Sequence, residues 1–255
     1  MGAPRIAIWK FASCDGCQLS LLDCEEALLE LAGAVRISHF LEASSRVEAG
    51  PYDLSLVEGS ITTAQDAVRI REIRAASARL VTIGACATAG GIQALRDTRD
   101  LDALKRSVYP DPALIEVLER STPVSDHVAV DAELRGCPVS RRDLLELVAA
   151  SLAGRRPDLP DVAQCAECKR AGTVCVMVAT GTPCLGPVTR AGCGNLCPRI
   201  GRGCYGCFGP VEGANCAAMS AQLRDLGMTA GEIMALYRGF NAGAQPFAEE
   251  AARHE

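Results

Sequence analysis

Through the first half of the chain, short apolar runs alternate with segments of helical period. Arg5–Phe11, Val35–Phe40, Leu54–Glu58, Leu80–Gly84 and Val128–Asp131 read as strands, each short, apolar and ending near glycine, serine or cysteine. Between them, Leu19–Leu31, Ala64–Ala76, Ala113–Arg120 and Arg141–Leu152 repeat their apolar positions at helical spacing. Strand and helix in strict turn predict an α/β fold, a doubly wound and mostly parallel sheet with helices on both faces. The pattern breaks at Gly154-Arg-Arg-Pro-Asp-Leu-Pro160, a linker by its glycine and two prolines. Beyond it, Cys165–Pro210 is rich in glycine and proline and shows little apolar period, so a conventional core is not expected there. From Ala217 to about Gly239 helical patterning returns, with Leu223, Leu226, Ile233, Met234 and Leu236 as its buried candidates. The expected organisation is a first domain over residues 1–153, a linker over 154–162, a cysteine-rich domain over 163–216 and a helical tail over 217–255.

Composition narrows the function classes. The chain has 255 residues, enough for one sizeable core and a smaller unit. Its net charge of −5 offers no basic stripe, so no nucleic-acid partner is expected. No apolar run reaches the roughly 18 residues that a membrane span needs, so no membrane anchor is expected. The sequence enters its first strand without an export signal or twin-arginine leader, and a cytoplasmic, thiol-keeping location is expected.

Cysteine usage carries the chemistry. Eight of the 14 cysteines lie between Cys165 and Cys207, spaced C-x2-C-x6-C-x8-C and then C-x3-C-x6-C-x2-C. Four thiolates complete one 4Fe–4S cubane, so this stretch reads as two cluster sites. Cys14, Cys17, Cys86 and Cys137 supply the donors for a third. Cys14, Cys86 and Cys137 each follow a predicted strand, at the edge where open α/β sheets bind ligands. Several clusters in one small protein form a path for electrons. Cys24, on a helical face with Leu21, Leu28 and Leu31, and Cys216 read as structural. The competing reading is structural zinc, which also uses paired CxxC motifs. Against it stand Pro138 and Pro198, each directly after a proposed ligand as in ferredoxin motifs, and the spread of the first four cysteines over separate loops. The three histidines, His39, His127 and His254, lie away from the cysteine groups.

Six ordered motifs carry a resemblance over nearly the whole chain: Cys14-Asp-Gly-Cys17-Gln-Leu, Val57-Glu-Gly-Ser60, Gly84-Ala-Cys86-Ala-Thr, Gly136-Cys137-Pro138, Cys184-Leu-Gly-Pro187 and Cys204-Tyr-Gly-Cys207-Phe-Gly-Pro210. Together they resemble the small subunit of nickel–iron hydrogenases, most closely the cytoplasmic sulfhydrogenase delta or NADP-linked type. The resemblance implies a flavodoxin-like first domain whose Cys14, Cys17, Cys86 and Cys137 hold a proximal 4Fe–4S cluster. It assigns Cys165, Cys168, Cys175 and Cys184 to a distal cluster, with Cys165 where exported relatives carry histidine. Cys193, Cys197, Cys204 and Cys207 become the medial set, Cys197 being the ligand that a 3Fe–4S version lacks. An exchange of one cysteine between these two sets stays open.

The resemblance further implies partners. The nickel–iron (NiFe) site belongs to a large subunit, because every CxxC here is already claimed. FAD and NAD(P) are expected on flavin and iron–sulfur partner subunits, and reduction of sulfur or polysulfide is a further activity of such enzymes. No catalytic residue is expected in this chain, although Glu58 in the Glu-Gly-Ser motif is a candidate for a proton or proximal-cluster role. The alternatives are a structural zinc-binding adaptor and the cluster subunit of a complex I-type quinone reductase, whose first motif has adjacent cysteines.

Overall fold

The computed structural model describes residues 2–255, apart from the side chains of Leu28, Leu31 and Ala32. It divides into two compact units, Met1–Pro157 and Asp158–Glu255. The first unit runs β1 (Arg5–Lys10), α1 (Gly16–Leu22), α2 (Glu26–Ala34), β2 (Arg36–Phe40), β3 (Tyr52–Glu58), α3 (Ala64–Ala75), β4 (Ser77–Ile83), α4 (Gly84–Ala89), α5 (Leu101–Val108), β5 (Ala132–Leu134) and α6 (Arg141–Leu152). All four strand pairings are parallel, in the order β2-β1-β3-β4-β5. This is the flavodoxin-like order that the resemblance implies, within the doubly wound class that the alternating pattern predicts. The central strand β3 is buried at six of its seven positions, as parallel strands covered on both faces require.

Local chemistry fixes the helix starts. The Thr63 side chain accepts from the Asp66 amide at 3.0 Å to begin α3, and Ser140 accepts from the Asp143 amide at 3.4 Å to begin α6. Ile70 and Ile73 of α3 and Leu144 and Leu147 of α6 supply the buried faces.

Three expected elements differ. The helix expected over Leu19–Leu31 is two helices, broken where Glu25 adopts φ 48°, and the shared face of Cys24 with Leu28 and Leu31 lies outside the described residues. Over Ala113–Arg120 there is no α-helix. A single 3-10 turn, Pro112–Leu114, gives way to extended chain because the Leu118 amide donates to the Thr62 carbonyl at 2.8 Å, and Thr122 exchanges backbone hydrogen bonds with Ile61. The strand expected at Val128–Asp131 begins later, at Ala132. Val128 and Val130 pack on the core beside the sheet, and Asp131 caps its edge by accepting from the Leu80 amide at 2.7 Å. The pattern did not show α4 or α5. Both are short, and α5 buries no residue at all.

The second unit carries α7 (Gln164–Arg170), α8 (Val176–Thr180), α9 (Leu196–Arg199), α10 (Cys216–Asp225), α11 (Ala230–Asn241) and α12 (Gln245–Ala252). It has an apolar core after all. Leu185 and Val188 from the cysteine-rich stretch join Leu223, Ile233, Tyr237 and Phe247 of the last three helices in one cluster. The Asn241 amide nitrogen donates to the Gly206 carbonyl at 2.8 Å, fastening α11 to the loop between Cys204 and Cys207. Of the expected buried residues, Leu223 and Ile233 are fully covered, whereas Met234 and Leu236 are partly so. Among the described residues no helix is long and apolar enough to cross a membrane.

Leu80 in β4 is fully buried, while Val68 on α3 is 53% exposed. Leu80→Ala is therefore expected to cost about 2–5 kcal/mol of the first unit's stability. Val68→Ala should change it by no more than about 0.5 kcal/mol. Urea unfolding followed by fluorescence of Trp9, the chain's single tryptophan, measures both.

Candidate functional site

At the carboxyl edge of the sheet, the segments that follow β1, β4 and β5 bring four cysteines together. Cys14 lies four residues beyond β1, Cys86 and Cys137 each three beyond β4 and β5, and Cys17 in the first turn of α1. Burial pushes the Cys17 thiol well above its usual pKa, with further contributions from Glu58, Cys86 and Cys137. Cys86 is pushed to about 11 by burial, then by Cys137, with Cys14 and Glu58 adding to it. Cys137 is raised by burial and by Cys14 and Glu58. A Cβ added at Gly16 would lie 3.4 Å from Cys14 Sγ and 3.6 Å from Pro138, which places Cys14 beside the Cys137 turn. Cys14 stays exposed and Cys17 is buried.

Two glycines make room for sulfur. At Gly84, with φ +87°, a Cβ would stand 2.4 Å from Cys17 Sγ, and at Gly91, with φ +63°, it would stand 2.5 Å from Cys86 Sγ. Neither position admits a side chain on steric or conformational grounds. The Ala85 amide donates to the Gly136 carbonyl at 2.7 Å, which joins the Cys86 loop to the Cys137 loop.

Glu58, the last residue of β3, is 2% exposed and aimed at this cradle. Its Oε1 accepts from the Cys17 amide at 3.0 Å, while its Oε2 has no hydrogen-bond partner. Burial raises its pKa against the lowering effect of Gln18 and the Cys17 amide. Gln93, which the sequence did not single out, accepts from Cys86 Sγ through Oε1 at 3.3 Å and donates from Nε2 to the Ala12 carbonyl at 2.9 Å. Its only sequence signal is its place two residues after Gly91.

In the second unit, α7 presents Cys165 and Cys168 one turn apart, with Cys175 just before α8 and Cys184 on the loop that follows. Burial pushes Cys165 to about 11, with Cys184, Cys168 and Cys175 adding to it in that order. The remaining cysteines of the stretch form a neighbouring group. Cys193 is raised by burial and by Glu167 and Cys197, and Cys204 is pushed to about 12 by burial, then by Cys184 and Cys193. The groups touch, since the Cys204 amide donates to Cys184 Sγ at 3.1 Å, while within the second group the Gly206 amide donates to Cys204 Sγ at 3.4 Å. Cys207 follows Gly206 and is half-buried.

Glu167, inside the Cys165–Cys168 pair, accepts from the Gly192 amide at 3.0 Å and the Asn195 amide at 3.1 Å. It thereby clamps the Cys193–Cys197 loop onto α7, with Asn195 held at φ 54°. Sequence spacing marked the cysteines and not this carboxylate, whose role depends on a loop 25 residues away. Cys24 and Cys216 stand outside the groups. Cys24 Sγ donates to the Ser20 carbonyl at 3.3 Å, and Cys216 is buried in the apolar core at the start of α10.

The donor sets suit iron–sulfur clusters. A cubane takes one thiolate for each of its four irons, and groups made of cysteines alone match that demand.

The model of the family described as NADH ubiquinone oxidoreductase, 20 kDa subunit, matches residues 14–151. Sulfhydrogenase 2 subunit delta of Pyrococcus furiosus is 33% identical over 222 residues, covering 87% of this chain and 93% of that protein. A subunit of the F420-non-reducing hydrogenase of Methanocaldococcus jannaschii is 29% identical over 273 residues, covering 93% of this chain and 94% of that protein. Among solved structures, a chain of an NAD+-reducing [NiFe]-hydrogenase in the H2-reduced state superposes with TM-score 0.58 and 31% identity, covering 62% of this chain and 96% of its own.

Gly84→Ala is expected to displace Cys17 and open the cradle. In the reduced protein, the rate at which Cys17 is alkylated should rise severalfold over the parent. Gly239→Ala, where an added Cβ meets nothing within 4 Å, should leave it unchanged. Mass spectrometry of the Cys17 peptide reads both rates.

Proposed function

Because this chain belongs to the family of the NADH ubiquinone oxidoreductase 20 kDa subunit, in the branch formed by nickel–iron hydrogenase small subunits, we propose that it transfers electrons through three 4Fe–4S clusters. The proximal set is Cys14, Cys17, Cys86 and Cys137, the distal set Cys165, Cys168, Cys175 and Cys184, and the medial set Cys193, Cys197, Cys204 and Cys207. One observation carries the reading: loops that follow three separate strands bring four sulfurs to one edge of the sheet, where glycines leave space for nothing but sulfur. The large subunit with its NiFe site is the partner at that edge. Flavin and iron–sulfur subunits linking to NAD(P) are the partners on the other side of the electron path, in the cytoplasm.

When bound, such clusters supply one-electron carriers of low potential. The chain's own residues do the rest. Glu58 fixes the Cys17 amide and, being buried with Oε2 unpartnered, can hold a proton beside the proximal set. Gln93 positions Cys86. Glu167 fixes the loop between Cys193 and Cys197, and burial of Cys17, Cys184 and Cys204 keeps water from the sulfur donors. The raised thiol pKa values mean that metal loading must displace protons from the sulfurs.

Anaerobic co-purification with the large subunit tests this. The expected small subunit carries about twelve irons and as many acid-labile sulfides, with a broad brown absorbance that bleaches on reduction. Cys197→Ser should lower the iron content by about one to four per chain while the protein stays in the complex. A colourless, zinc-loaded subunit would overturn the reading in favour of a structural adaptor.

A further inference from the structure

Gln164 opens α7, next to Cys165, yet its side chain reaches the other cysteine group. It is 1% exposed, and its Oε1 lies 3.5 Å from Cys193 Sγ, within reach of that thiol's proton. Its Nε2 is buried without any hydrogen-bond partner. An amide donor left unpaired in this way costs stability, so the position calls for an acceptor. The backbone holds the residue still: the Gln164 amide donates to the Thr189 carbonyl at 2.8 Å, and the Thr189 hydroxyl donates to the Leu185 carbonyl at 2.7 Å.

The arrangement is stable only while Cys193 carries a proton. A sulfur bound to iron has none to give, and a carbonyl oxygen facing it would be two acceptors in contact. Rotation of the amide by half a turn exchanges Oε1 for Nε2 and gives the sulfur a donor. Gln93 lacks this freedom, because its Nε2 is already committed to the Ala12 carbonyl. Donors to cluster sulfurs favour the more negative, reduced state and so raise the reduction potential.

We propose that Gln164 donates a hydrogen bond from Nε2 to Cys193 Sγ in the cluster-loaded protein, as a positioning residue that makes this cluster easier to reduce than it would otherwise be. The residue thus spans both groups, its backbone beside Cys165 of one and its amide on Cys193 of the other. The proposal rests on the assignment of Cys193 to a cluster.

The test is Gln164→Met in the purified complex, which keeps the side chain's length and removes the donor. Potentiometric titration monitored by electron paramagnetic resonance is expected to show one cluster moved to lower potential, with its reduction constant decreased about three- to tenfold and the proximal cluster unmoved; tenfold corresponds to about 59 mV for one electron. Unchanged potentials at full iron content would overturn the proposal while leaving the cluster assignment intact. A Cys193→Ser variant that keeps every iron and every resonance would instead overturn the assignment. Should Gln164→Met fail to assemble, the parent complex carrying 15N in its glutamine side chains decides the matter. A 15N hyperfine coupling to the reduced medial cluster supports the proposal, and its absence refutes it.

Discussion

Sulfur crowding is the constraint on which the rest of this chain depends. Thiols that burial and one another hold above their usual pKa must be kept side by side before any metal neutralises them. The first unit meets this demand with a stiff scaffold. A five-stranded parallel sheet ends three of its strands beside the same cradle, and the positions between sulfur and backbone are reduced to glycine. The energy for this comes from the apolar packing of the strands, where Leu54, Leu56, Leu80 and Ile83 are fully buried.

The second unit solves the same problem without a sheet. Its cysteine loops cross by backbone-to-sulfur and carboxylate-to-backbone hydrogen bonds, and three closing helices give them an apolar floor. At Gly203 an added Cβ would lie 1.8 Å from the Pro183 carbonyl oxygen, so the strand of chain entering Cys204 passes directly over the one entering Cys184. The two cysteine groups are packed as one object. This explains why Cys204 feels Cys184 and Cys193 together, and why a glutamine beside Cys165 can serve Cys193.

Much of this was legible in the sequence because strand period, turn residues and cysteine spacing are local signals. The alternation of Leu54–Glu58 and Leu80–Gly84 with intervening helices foretold the parallel sheet and placed Cys86 at a strand end, whereas Cys137 was placed after a strand expected at Val128–Asp131 that in fact begins at Ala132. What escaped was non-local. Ala113–Arg120 has a helical pattern, yet Thr62 and Ile61 claim its backbone. Glu167 and Gln164 carry no spacing rule, since each acts on a loop brought near only by the fold, and Gln93 beside Cys86 is held by the Ala12 carbonyl, likewise distant in sequence. The tail's apolar residues were visible, but their partners Leu185 and Val188 sit in a stretch whose glycines and prolines masked a core.

The bond from Asn241 to the Gly206 carbonyl has a consequence for how the protein is made. The loop bearing Cys204 and Cys207 leaves the ribosome well before α11 and α12, which supply both that bond and the Phe247 ring lying against Gly206. While those helices are still being made the loop lacks both that bond and that ring, and a chain ended before Asn241 would present Cys204 and Cys207 on an unsupported loop.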